Sequence, residues 1–158
     1  MGYALLKLLH LGSVVIWIGG MFFTLFCLRP AAATLEPEVR VPFMAKVLGG
    51  FFSIVLWLAV VTIASGVAMV VRVAQTTRST GAPFNMPADW MAMAALGLLM
   101  LAIFGHIRFA LYKRLQRAVA VSDWKAGGAA IAEIRFWVGA NLSLGALIIV
   151  VVVLGAAT

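Results

Sequence analysis

Charge is the scarcest commodity in this chain. Only 11% of its 158 residues are charged, five of them acidic, while 65% are hydrophobic. A soluble domain carries about 25% charged residues, so a soluble globular class is excluded. Cysteine is almost absent too. The single Cys27 lies in an apolar run, which rules out a disulfide within the chain and a CxxC redox or zinc motif. There is no phosphate-binding glycine loop and no nucleophile paired with a base. Histidine occurs only at His10 and His106. The five prolines, Pro30, Pro37, Pro42, Pro83 and Pro87, are all expected in the connections between the apolar runs. No helix is therefore expected to be interrupted by one.

What is present is long apolar sequence. Four runs stand out, at about residues 3–28, 47–71, 90–112 and 136–157. Each has about 20 residues or more, enough for a helix to cross a hydrocarbon layer of about 30 Å. Backbone groups in lipid must pair internally, so the expected fold is all-α: an integral membrane four-helix bundle forming a single domain over residues 1–158. The first run exceeds the 7–15 residues of a signal-peptide core and is closed by Arg29-Pro30. It reads as a retained helix.

The net charge of +7 does not point to nucleic acid. The basic residues sit at the ends of the apolar runs, where they set topology. Arg29, Arg40, Lys46, Lys113, Arg114, Arg117, Lys125 and Arg135 lie on one side. Lys7, Arg72 and Arg78 lie on the other. The richer side is expected to be cytoplasmic, in a bacterial inner membrane, with both termini periplasmic. Ser122 or Asp123 is expected to cap a helix leading into the fourth span. The outer connection, "TTRSTGAPFNMPAD", reads as a turn-rich loop. No internal repeat is evident.

Ionisable groups at membrane depth are costly and mark function by default. His10 and Trp17 are seven residues apart and share a helix face with Ser13, Val14 and Met21. That face is expected to point inward. By helix rise, His10 and His106 differ in depth by about 15–20 Å, so they do not clamp one metal between them. On the inner level, His106, Asn141 and Ser53 are candidates for a hydrogen-bonded group, and Arg108 is expected to snorkel to the interface. On the outer level, His10, Met69, Met91 and Met93 offer imidazole and thioether, which suit copper. Glycines within the spans either let helices approach closely or clear space for a flat cofactor.

The stretch "HLGSVVIWIGG" resembles the CopD family of small bacterial membrane proteins. The resemblance continues through "FFSIVLWLAVVTIASG", "FGHIRFALYKRLQRAVAVSDW" and "IRFWVGANLSLG". It implies a copper resistance or uptake role. The first run is also similar to that of HemJ-type protoporphyrinogen oxidases, which implies His10 as an axial ligand to b-type heme. The chain departs from that second pattern: it has no lysine between Lys46 and Lys113, and Asn141 is followed by Leu142. The expectations are therefore a heme-b protein, with His10, Trp17, His106 and Asn141 around the cofactor and, if catalytic, a heme-dependent oxidoreductase role. The alternatives are a copper-handling protein using His10, Met69, Met91 and Met93, or a subunit of a larger membrane complex or homo-oligomer.

Overall fold

A computed structural model describes residues 2–155. Four helices run up and down: α1 Gly2–Ala32, α2 Pro37–Ser79, α3 Ala88–Ala120 and α4 Trp124–Gly155. No strand occurs among the described residues. Each helix is long and apolar enough to span a membrane. Large apolar side chains such as Trp57, Val15, Leu8 and Phe136 are exposed on the outside of the bundle. Water would not tolerate that surface, and lipid requires it.

The helices outrun their apolar windows. α2 has 43 residues, about 65 Å of helix against a hydrocarbon layer of about 30 Å. It begins at Pro37, and the "TTRS" of the outer connection forms its last turn, which leaves only residues 80–87 as loop. α3 runs on to Ala120 through an amphipathic end segment, Tyr112–Ala120. These extensions meet the start of α4 beyond the basic membrane face, with Leu115, Ala118, Gly127 and Ala130 buried there. Gly127 is needed at this point: a Cβ would run into the Val41 side chain.

The prolines correct one expectation. Pro30 and Pro42 lie inside helices, and Pro37 opens α2. The opening position tolerates proline because its N–H would have no partner anyway. Pro30 follows a π turn, Thr24–Leu28. That wide turn opens the helix where the ring would otherwise meet the carbonyl four residues back. The turn before α4 is as expected. Asp123 Oδ1 accepts the Ala126 N–H at 2.9 Å. Ser122 turns the chain with φ 53°.

The structure contains a repeat that the sequence hides. α3 has its own π turn, Ile107–Leu111. Laying it on that of α1 brings buried Trp17, Met21, Thr24 and Ala32 into step with buried Met100, Phe104, Ile107 and Leu115. In α2, Val41, Met44, Leu48, Phe52, Val55 and Ala59 are buried at the spacings of Gly127, Ala130, Ile134, Val138, Asn141 and Gly145 in α4. α1 packs mainly on α2, and α3 on α4. The two hairpins run in the same sense, so a pseudo-two-fold axis lies along the bundle. Side-chain identity has diverged while the burial rhythm has not.

Candidate functional site

His10 lies on α1 where it packs against α2. The inward stripe is as expected: Ser13, Trp17 and Met21 are buried, and His10 and Val14 are half-buried. His10 Nδ1 is 2.9 Å from the Thr62 carbonyl oxygen and 3.3 Å from Ser65 Oγ. A carbonyl can only accept. The Ser65 hydroxyl proton is committed to the Val61 carbonyl at 2.6 Å. Nδ1 is therefore the N–H, donating to Thr62. In the neutral ring the lone pair then sits on Nε2. A metal-binding histidine uses the same division of labour, with one nitrogen held by a carbonyl and the other left to ligate.

Gly66 leaves the ring room for this contact. A Cβ there would lie 3.2 Å from His10 Cε1 and 3.4 Å from Nδ1. With no side chain on Gly66, the ring reaches the carbonyl one turn back. Thr62, Ser65 and Gly66 were not read from the sequence as part of the site. Their signal is weak, because both hydroxyls bond within their own helix and the decisive partner is a backbone oxygen.

Met69 follows Ser65 by one helical turn and shares its face. One further turn out, Arg72, Val73 and Thr76 line a recess of about 500 Å³ with Tyr3 and Gln75. Along this face of α2 the order from the outside is therefore the recess, Met69 and the His10 contact. Met91 and Met93 stand elsewhere. They lie near the start of α3, which packs on α4, and Met91 is exposed. In the repeat Met93 occupies the place of His10, with Val151 and Val152 in the places of Ser65 and Gly66. The second hairpin repeats the architecture without the site.

Trp17 belongs to an aromatic core. Its ring meets Phe104 edge-on at 5.8 Å, Phe104 meets Phe52, and Phe52 meets Tyr112 at 5.5 Å. The Tyr112 hydroxyl closes the series by donating to the Ala45 carbonyl at 3.1 Å.

The expected inner group of His106, Asn141 and Ser53 is not assembled. Ser53 follows core-facing Phe52, is turned outward, and bonds the Gly49 carbonyl of its own helix. His106 lies two residues after buried Phe104, on the other side of α3. It is exposed and packs edge-on against Trp137 at 5.4 Å. Only Asn141 enters the core, 1% exposed, with its Oδ1 unpartnered. Arg108 does not simply snorkel away. Its guanidinium lies over the Tyr112 and Phe109 rings, and its Nε is buried without a hydrogen-bond partner. Gly145 faces both Ile18 and Met100, which sets Met100 level with Trp17 as in the repeat. With His10 seven residues above that level and His106 six below it, the two are separated in depth by about 20 Å. They share no site.

The glycines do not clear a slot for a porphyrin beside Trp17. The Phe51 ring covers Gly20, and Gly19 has nothing within 4 Å because it faces outward. The groove between α1 and α4 encloses about 20 Å³, against several hundred for a cofactor pocket. Among the described residues no group of three His, Cys, Asp or Glu side chains could hold a metal.

Comparison with known proteins agrees with the copper expectation and lends none to heme. No curated protein and no solved structure matches the chain. The family model for CopD, copper resistance protein D, matches residues 45–154. That stretch takes in nearly all of α2 apart from its first turns, the whole of α3, and α4 almost to its end. His10 and the rest of α1 precede it. With well over half its length matched and four apolar helices around one core, the chain belongs to the CopD family of multi-pass membrane proteins.

Proposed function

We propose that this protein handles copper as cargo, receiving Cu(I) at the far end of the bundle from its basic face, with His10 Nε2 as the receiving ligand. The observation that carries the proposal is the Nδ1 contact to the Thr62 carbonyl, which leaves Nε2 its lone pair. Met69 on the same seam supplies a thioether, and the imidazole–thioether pair is soft enough to select Cu(I) over harder divalent ions. Family membership supports the same reading. The excess of basic residues at the other end supports an orientation with His10 on the periplasmic side of a bacterial inner membrane.

The test is a competition titration of the purified protein with a chromogenic Cu(I) chelator. Wild-type protein is expected to hold Cu(I). His10→Ala is expected to lose it, and Met69→Leu, close in volume, to weaken it. Unchanged affinity in His10→Ala sinks the assignment. An absorption spectrum after heme-replete expression addresses the rival. A Soret band that disappears in His10→Ala would replace copper by heme at this nitrogen.

A further inference from the structure

The pseudo-two-fold repeat gives the bundle two equivalent grooves at its basic end, and they differ. In the second hairpin the groove is plugged from within. Tyr112 is buried there with its hydroxyl on the Ala45 carbonyl, and the Arg108 guanidinium lies over its ring. The residue in step with Tyr112 in the first hairpin is Arg29, which is exposed. The matching groove, between α1 and α4 with α2 at its base, is left open.

We infer that this open groove binds an anionic phospholipid. Its walls are apolar, including Leu25, Leu48, Ile134 and Val138, and its rim carries Arg29 and Arg135. Neither arginine has a carboxylate partner among the described residues. The one nearby acid on α4, Glu133, is paired with Arg114 at 2.7 Å. Arg29 lies one turn from the end of α1, and Lys46 and Lys113 mark the same membrane boundary on α2 and α3. Two unpaired guanidiniums thus stand at headgroup level, above a slot that descends into the hydrocarbon. The enclosed space is only about 20 Å³. The groove is thus a shallow furrow: an acyl chain would lie along it with its outer side still against the bilayer, and a bulky ligand is excluded. Paired arginines beside an apolar crevice between membrane helices have the chemistry for a lipid phosphate and its chain together. The groove is independent of His10, at the opposite end of the bundle.

Native mass spectrometry of the detergent-solubilised protein, titrated with phosphatidylglycerol or phosphatidylcholine, tests this. Wild-type protein is expected to retain phosphatidylglycerol preferentially. Arg29→Gln with Arg135→Gln should weaken that retention by about fivefold per arginine. Lys113→Gln with Arg117→Gln, an equal charge loss outside the groove, should leave it nearly unchanged. Leu25→Trp, which fills the slot and keeps the charges, should also displace the lipid. Lack of any preference in the wild type overturns the inference. So does equal loss in both double variants, which would mean diffuse attraction to the basic face. Displacement by inorganic phosphate at millimolar concentration overturns it as well, because the chain-binding slot would then contribute nothing.

Discussion

At the scale of single residues, the chain shows two ways of keeping a polar side chain in a membrane. His10 is satisfied on one nitrogen and available on the other. Asn141 is buried with its carbonyl oxygen unpartnered, a state that costs about 1–3 kcal/mol when nothing fills it. Asn141→Leu is therefore expected to raise the unfolding temperature in detergent. A fall would mean that the amide holds a bound group which leucine cannot replace. Gly66 tests the His10 geometry from the other side. Gly66→Val places a Cβ 3.2 Å from the ring with two methyls beyond it. The variant should bind Cu(I) at least tenfold more weakly, as loss of an orienting partner does elsewhere, while its helical circular dichroism stays unchanged. Retained affinity would show that the ring does not need the Thr62 carbonyl.

At the scale of elements, the helices are ended by local chemistry and joined by specific polar contacts. The α3–α4 turn places Ser122 at φ 53° and bonds the Asp123 N–H to the Ala118 carbonyl at 2.9 Å. That is a helix C-terminus built for glycine. Ser122→Gly is expected to stabilise the protein by about 0.5–1 kcal/mol, read as a higher midpoint in thermal unfolding. Tyr112→Phe removes a buried hydrogen bond and should cost about 1 kcal/mol in the same assay. The Arg114–Glu133 pair is exposed on both sides. A double-mutant cycle across it should give no more than about 0.5 kcal/mol. The Asp123 cap was legible in the sequence because it depends on one or two neighbouring residues. The π turns were not, since nothing in "TLFCL" or "IRFAL" differs from ordinary apolar helix.

At the scale of the whole molecule, two hairpins of one design form a bundle whose two halves have diverged in chemistry. The first carries the imidazole and an open groove. The second has a methionine in place of the histidine and a tyrosine plug in place of the groove. The distribution of basic residues supports the proposed orientation, with the outer recess and His10 facing the periplasm. Fusions at residue 158 should give active alkaline phosphatase and a dark green fluorescent protein. The reverse pattern would invert the bundle and move the His10 seam to the cytoplasmic face.

Composition and run length alone determined that this chain is a four-helix membrane protein. Unbroken apolar runs of about 20 residues satisfy their backbone in lipid as helices, and the threshold for a span is a matter of counting. The inward direction of the His10–Trp17 stripe was equally readable, because helical period is local. Only the tertiary structure decided that Trp17 belongs to an aromatic core, that His106 faces outward, and that His10 is held by a carbonyl of another helix. Backbone oxygens carry no mark in a sequence, and every face of a membrane helix is apolar. Hydropathy therefore cannot say which face meets protein and which meets lipid. The repeat was hidden for the same reason: it survives in the rhythm of burial, which appears only when the helices are packed together.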